Sequence, residues 1–325
     1  MELIIETAGT KLSKNGNCLK VKNNETELLL SPEKIENIIL EGEVSLTKGA
    51  ILLALENNIP IIISDKNRKI KGTFWKPADD KTGKLRRNQY QLFNSVKGLE
   101  LGREWIIEKL ENQKKQVIAL INRRDKKELL KPYFIMTNYI EKLKELDLTV
   151  EGSETIIMGY EGIASKYYFQ IINELLEDRW KFDKREHQNA KKPYNIILNY
   201  LYGFLYNTIE RAILINGFDP YTGIIHKENS NKMPFVYDLI EKYRYLALES
   251  CFQLFSQKIV NNSFFELKDN KYILSAEGKI KITEFYYKKL NHEIEFQGKK
   301  YKAIDTIKKY VTSLKIDLTE GKEAA

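Results

Sequence analysis

The chain has 325 residues and a mass of 38.1 kDa, and 42% of its residues are hydrophobic and 30% charged. This length predicts two domains or one large one, and this composition excludes a disordered, collagen-like or low-complexity protein. The 53 Lys and Arg residues exceed the 45 Asp and Glu residues by 8, which favours a polyanionic partner. Two cysteines are too few for a disulfide scaffold, no signal-peptide pattern opens the sequence, and no apolar run is long enough to span a membrane. We therefore predict a soluble, cytoplasmic protein with no membrane partner.

Residues 1 to about 75 show strand patterns with turn signals between them. Asn15-Gly16 predicts a hairpin turn because both residues tolerate positive φ. Apolar residues at helical spacing predict one helix over residues 47–57. The strand-like runs are residues 3–7, 18–22, 27–30, 59–64 and 69–75. We predict a small mixed β domain over residues 1–75.

The pattern changes after residue 75. Residues 76–87 are polar, turn-rich and nearly free of apolar side chains, which is typical of a linker. From Asn88 onward, apolar residues recur at spacings of three and four. The predicted helices cover residues 90–124, 134–146, 153–176, 195–216, 235–259, 275–290 and 301–314. We therefore predict an α+β protein, with the N-terminal β domain followed by a larger all-α domain over residues 88–325.

Of the three histidines, His226 has the most suggestive surroundings. It follows the turn-rich stretch 217–223, and the next predicted helix carries Asp238 and Glu241 three residues apart, on one side of the helix. This arrangement is compatible with a divalent metal site, and also with an acidic pair exposed to solvent. His187, in a highly charged segment, and His292, near a helix end, are predicted to be surface residues.

Glu161 lies in a strongly apolar helical stretch, among small residues that permit close approach by another helix. A carboxylate in such surroundings is costly unless it is paired or binds a metal. The alternative is a polar stripe shared with Glu154 and Lys166, and the apolar neighbours at 156–158 and 163–164 argue against it.

Several ordered segments resemble the CRISPR-associated integrase, the larger of the two universal CRISPR adaptation proteins. MGYEGIA at residues 158–164 is similar to that family's glutamate motif, GFDPYTGIIH at 217–226 to its histidine motif and PFVYDLIEKYR at 234–244 to its acidic motif. The helix at 195–206 and the segments 38–47 and 58–65 are similar to further parts of the family. The resemblance therefore extends over residues 1–250, and the function of the region after residue 250 stays open.

The resemblance implies a metal-dependent DNA endonuclease and integrase that inserts short foreign DNA into a CRISPR array. In the implied reaction, a 3′-hydroxyl attacks a phosphodiester at the repeat boundary. Glu161, His226 and Glu241 would be catalytic and would bind Mg²⁺ or Mn²⁺. The last acidic ligand is often aspartate in the family, so either Glu241 or Asp238 could be the direct ligand.

The implied partners are double-stranded DNA, from the spacer precursor and the CRISPR repeat, a small partner nuclease and a second copy of this chain. The β domain would form the homodimer and residues 88–325 the catalytic domain. A basic cluster between the glutamate and histidine motifs is the candidate DNA-binding surface: Arg179, Lys181, Lys184, Arg185, Lys191 and Lys192. Two alternatives are a non-catalytic architectural DNA-binding subunit and a standalone metal-dependent nuclease.

Overall fold

The structure, a computed structural model, describes residues 1–65, 70–74, 80–187, 189–226, 232–268 and 271–320. Trp75, at the end of the last predicted strand of the β domain, and residues 76–79 of the predicted linker lie outside these ranges. The chain divides into two compact units, Met1–Gly83 and Lys84–Ala325. The first is a mixed β unit and the second is mostly helical, which confirms the predicted fold class.

The described residues of the N-terminal unit form two four-stranded sheets. In the first, β1, β5 and β7 are parallel and β8 is antiparallel; in the second, the order is β4-β3-β2-β6. Helix α1 and inward-facing side chains such as Leu12 and Ile38 form the core of the unit. Gly16 has φ 58°, as the predicted hairpin turn requires. The elements are β1 (Glu2–Ile5), β2 (Lys11–Asn15), β3 (Cys18–Lys22), β4 (Glu27–Leu30), β5 (Asn37–Leu40), β6 (Ser45–Leu46), α1 (Lys48–Glu56), β7 (Ile61–Ser64) and β8 (Ile70–Phe74).

Residues 80–87, predicted as part of the linker, are instead helical and open α2 (Asp80–Phe93). Leu85, almost the only apolar residue of this polar segment, is completely buried in the core of the helical unit. Gln89, one turn later, is also buried, and its side chain bonds both backbone groups of Asp219. A single buried turn therefore fixes a helix that the local composition does not predict.

The C-terminal unit contains eight α-helices in the residues that the structure describes. The predicted helix over residues 90–124 is two helices, with the break at residues 94–95. Ser95 caps the second helix, because its side chain accepts a hydrogen bond from the Gly98 N–H. The bounds are α2 as above, α3 (Val96–Arg124), α4 (Leu130–Lys144), α5 (Ser153–Glu174), α6 (Pro193–Ile215), α7 (Pro234–Ser256), α8 (Ala276–Leu290) and α9 (Ala303–Glu320).

Two short hairpins interrupt the otherwise all-α domain that the sequence predicts. They pair β9 (Phe265–Lys268) with β10 (Lys271–Leu274) and β11 (Glu293–Phe296) with β12 (Lys299–Lys302). Each of these strands has only four residues, and none of them was predicted from the sequence. Among the described residues, no helix combines the length and apolarity that crossing a bilayer would take.

Helix α3 is the centre of the helical unit. It packs against α5 on one side and α7 on another, and α7 also packs against α6. Its buried face repeats at spacings of three and four through Ile106, Leu110 and Val117. This packing places side chains of α3, α5 and α7 within reach of one another.

Candidate active site

Helix α3 carries two polar side chains in its buried face. Lys109 and Gln113, one turn apart, lie among the apolar residues of that face and are only 1% and 2% exposed. A buried ammonium is strongly destabilising unless carboxylates or other acceptors compensate it. The neighbours of Lys109 therefore identify the first charged centre of the unit.

The Lys109 ammonium lies between two carboxylates from different helices. Glu161 of α5 accepts a short hydrogen bond from its Nζ, and Glu241 of α7 places Oε2 at 2.7 Å from the same nitrogen. Burial alone would lower the pKa of Lys109, but the two carboxylates outweigh it and raise that pKa. Lys109 is therefore charged, and it joins residues that are 80 positions apart in sequence.

Glu161 is held ionised by its partners. Burial alone would raise its pKa, but the Lys109 charge and the hydrogen bonds from Lys109 and from the Ser165 hydroxyl lower it to about 2. Ser165 lies one turn after Glu161 on α5, so a single helix presents both the carboxylate and its donor. The sequence left two possibilities for Glu161, pairing or metal binding, and in this structure the carboxylate is paired with Lys109 and Ser165.

Asp238 fixes the histidine loop. Its buried carboxylate accepts the backbone N–H groups of Ile224, Ile225 and His226, the last at 3.0 Å, and lies 2.7 Å from His226 Nδ1. Burial would lower the pKa of His226, but the Asp238 carboxylate, with a smaller contribution from Glu241, raises it. With Nδ1 on Asp238, Nε2 is the ring nitrogen left to bind a metal.

Gly223 permits this close packing. A Cβ at residue 223 would lie 2.4 Å from the His226 carbonyl oxygen, 2.6 Å from Pro234 Cβ and 2.9 Å from Asp238 Oδ2. No side chain fits in that space, so the glycine of the GFDPYTGIIH segment is required by the approach of the loop to α7. The loop thereby presents His226 from the side of α7 that also carries Glu241.

Glu241 differs from Asp238 in what its oxygens contact. Its Oε1 pairs with Arg244 at 3.0 Å, one turn later on α7. Its Oε2 is buried and accepts no directed hydrogen bond from the described residues, although Lys109 Nζ lies within ion-pair distance. Asp238 is fully occupied by the loop, so this contrast favours Glu241 as the direct ligand.

In the structure, Glu161 and Glu241 therefore share one partner, the Lys109 ammonium, and His226 contacts Asp238. In the ranges it describes, no three His, Cys, Asp or Glu side chains already form a group that could hold a metal ion. Within the described residues, the donor set nevertheless fits a hard divalent cation: two carboxylates converge on one positive charge, Glu241 Oε2 accepts no directed hydrogen bond, and His226 Nε2 is the ring nitrogen that does not contact Asp238. The Lys109 ammonium supplies the positive charge that the two converging carboxylates require.

A cavity of about 550 Å³ opens beside Glu161. Lysine and arginine side chains outnumber carboxylates in its lining: Lys109, Lys166, Lys184, Arg185 and Arg244 against Glu161 and Asp183. Phe169, Phe182 and Tyr202 add aromatic surface. Cationic and aromatic groups together are the surface that a nucleic-acid backbone and unpaired bases require.

The predicted DNA-binding cluster is divided by the fold. Lys184 and Arg185 line the cavity, and Arg185 is held there by the side chains of Asn195 and Asn199 and by the faces of Phe169 and Tyr202. The members that pair with nearby acidic side chains are Arg179, Lys181 and Lys192. Lys191 is exposed.

Sequence reasoning missed four residues of this site. His187, predicted as a simple surface residue, is exposed but also lines the cavity, and burial and the Arg185 charge lower its pKa. Lys109, Gln113 and Arg244 had no assigned role. Lys109 and Gln113 could have been found, because each interrupts an otherwise apolar face of a long helix.

The fold and the site together define a class of protein. Its members have two units, and the helical unit carries a centre of carboxylate and histidine side chains. The sequence model of the family described as CRISPR associated protein Cas1 matches residues 3–288. A "CRISPR-associated protein Cas1 3" of Methanobrevibacter ruminantium is 30% identical over 285 residues, covering 85% of this chain and 84% of its own length. A "CRISPR-associated endonuclease Cas1 1" of Archaeoglobus fulgidus is 26% identical over 262 residues, covering 75% and 74%.

Solved structures share the fold. A Cas1 protein from Thermotoga maritima superposes with a TM-score of 0.71 at 21% identity and covers 100% of this chain and 98% of its own. A casposase bound to integration product superposes with a TM-score of 0.73 at 23% identity, covering 99% and 96%. The chain belongs to the CRISPR-associated Cas1 family, which confirms the resemblance found in the sequence.

Proposed function

We propose that this Cas1 protein is the metal-dependent integrase and endonuclease of CRISPR adaptation, with its active site at Glu161, His226 and Glu241. The observation that carries the proposal is the meeting of Glu161 and Glu241 on one buried positive charge, with His226 fixed nearby by Asp238. Relatives named as Cas1 endonucleases support the reaction class.

Glu161, Glu241 and His226 Nε2 would hold Mg²⁺ or Mn²⁺, which when bound would neutralise charge on the phosphate under attack. The residues around them have separate tasks. Asp238 keeps the His226 ring oriented and its Nδ1 proton in place. Arg244 holds one oxygen of Glu241, so that the other points toward Lys109.

The basic cavity beside Glu161 would hold the DNA backbone. Lys166, Lys184 and Arg185 present positive charge there without contacts that could distinguish one base from another. Foreign DNA of any sequence could therefore be held while its 3′-hydroxyl attacks the repeat phosphodiester. The casposase that shares this fold was solved bound to integration product, which supports a joining reaction.

Two ends of one DNA piece require two active sites, so the working form would be a homodimer with a small Cas partner. A solved Cas6-RT-Cas1–Cas2 complex contains this fold, with a TM-score of 0.74 at 20% identity over 99% of this chain. In the β unit, Leu28 and Leu29 of the edge strand β4 are 53% and 55% exposed, which supports that unit as the dimerisation surface.

A half-site integration assay tests the proposal. Purified protein, the small partner, a repeat-containing plasmid and short DNA with free 3′-hydroxyls should give joined products that a chelator abolishes. Glu161→Ala and His226→Ala should each reduce joining at least a hundredfold while DNA binding stays within twofold. Joining and cleavage that survive both substitutions would indicate an architectural subunit. Strong cleavage without joined products would indicate a standalone nuclease.

A further inference from the structure

Among the described residues, the charges of the carboxylate centre balance without a metal. They comprise two carboxylates, Glu161 and Glu241, and two cations, Lys109 and Arg244. A divalent ion added beside the Lys109 ammonium would meet a like charge that is 1% exposed and that water cannot screen. The ammonium and the metal therefore compete for the same oxygens.

A second acceptor for the ammonium lies one turn along the same helix. Gln113 Oε1 is buried and, within the described ranges, accepts no hydrogen bond. Lys109 and Gln113 both line the cavity beside Glu161, so the long lysine side chain has space on that side. Residues four apart on a helix are neighbours, which puts this amide within reach of a lysine that turns away from the glutamates.

We propose that Lys109 is the resident counter-ion of the cation site: its ammonium holds Glu161 and Glu241 together in the metal-free protein and leaves them for the cavity and Gln113 when a divalent cation binds. Lys109 is thus a positioning residue that sets the metal affinity. This inference rests on the proposed function, because it presupposes that Glu161, His226 and Glu241 bind the metal.

The test is Mn²⁺ binding to the full chain without DNA, followed by electron paramagnetic resonance of the free ion. Lys109→Met removes the competing charge and keeps most of the side-chain volume, so it should tighten Mn²⁺ binding at least tenfold. Lys109→Arg keeps the charge and should not tighten it. Lys114→Met, on the same helix but outside the cavity, is the matched control and should leave the affinity unchanged.

A merely structural role for Lys109 predicts the same loss of stability in Lys109→Met but no gain in metal binding. An Mn²⁺ affinity of Lys109→Met equal to or weaker than that of the wild type would therefore overturn the proposal. Glu241→Gln separates the two proposals. If it leaves binding intact, the cation site itself is wrong; if it abolishes binding while Lys109→Met changes nothing, only the role of Lys109 is wrong.

A measurement on the wild-type chain keeps the test decisive even if Lys109→Met does not fold. Lysine side chains are amidinated with and without saturating Mn²⁺, and the labelled sites are counted by mass spectrometry. Lys109 should become at least fivefold more reactive with Mn²⁺, whereas Lys114 should not change. Equal labelling of Lys109 in both conditions would contradict its displacement.

Discussion

Helix α3 carries two lysine–carboxylate networks that differ mainly in burial. In one, Lys109 lies between Glu161 and Glu241, and its side chain is 2% exposed. In the other, Lys114 lies 2.7 Å from Glu111 and 4.0 Å from Glu141, and its side chain is 21% exposed. In both networks one lysine lies between two glutamates. The partners of Lys109 belong to α5 and α7, whereas Glu111 lies on α3 itself and Glu141 on α4.

The comparison separates stability from function. Water solvates the Lys114 network, so forming it costs little and contributes little. The Lys109 network places the Lys109 ammonium and the Glu241 carboxylate away from water, with side chains 2% and 6% exposed. Apolar residues of similar volume at these two positions would stabilise the fold as well or better. A buried ion network on a helix that could have an apolar face there therefore points to a chemical role.

The largest expected effect is on the buried network. In metal-free protein, Lys109→Met should lower the free energy of unfolding by about 3–5 kcal/mol, because it leaves two carboxylates without their shared cation. Urea denaturation in the presence of a chelator measures the change. A loss below about 1 kcal/mol would remove the distinction between the two networks.

The histidine loop gives an intermediate effect. Gly223→Ala places a Cβ against the His226 carbonyl and Asp238 Oδ2, so it should cost about 1–3 kcal/mol and weaken Mn²⁺ binding by displacing His226. Gly159→Ala is the control, because its Cβ would meet nothing within 4 Å and alanine favours the helix. Equal stability of the two variants, by urea denaturation, would contradict the close packing of the loop against α7.

The pH dependence tests the Asp238–His226 pair. Asp238 raises the pKa of His226, and only the neutral ring binds a metal, so Mn²⁺ binding should appear as pH rises through that raised pKa. The contribution of the pair to stability has the opposite sense: it is present below pH 6.5 and is lost as pH rises through the same pKa. Asp238→Asn should move the midpoint of Mn²⁺ binding to lower pH. An unchanged midpoint in titrations followed by paramagnetic resonance would show that Asp238 does not control the ring.

The smallest effect is expected at the exposed network. Lys114→Met should change the free energy of unfolding by less than about 0.5 kcal/mol, because Glu111 keeps its pair with Lys144 and water solvates what remains. Urea denaturation alongside Lys109→Met gives the direct contrast. A change above about 2 kcal/mol would mean that burial is not what distinguishes the two sites.

Periodicity predicted most of the fold. The strand runs of the β unit and the long helices around Glu161 and Asp238 lie near their predicted positions because their patterns are local. The helix over residues 80–87 was missed because one long-range contact, the burial of Leu85, decides it. The short hairpins were missed for the same reason: pairing, not composition, makes them strands.

The site was predictable only in part. Glu161, His226 and Glu241 were predicted from motifs. The sequence could not decide whether Asp238 or Glu241 is the direct metal ligand, because residues three apart lie on the same face of a helix. In the structure the two acids have different partners. Asp238 accepts hydrogen bonds from the loop that follows Gly223, whereas Glu241 pairs with Lys109. Lys109 comes from another helix, so no pattern near the motifs could reveal it.

The most direct measurement is anomalous diffraction at the manganese edge from crystals of the chain grown with Mn²⁺. We predict one strong peak about 2.1–2.3 Å from oxygens of Glu161 and Glu241 and from His226 Nε2. A peak elsewhere, with Lys109 still between the two glutamates at saturating Mn²⁺, would contradict a single cation site built from these three residues.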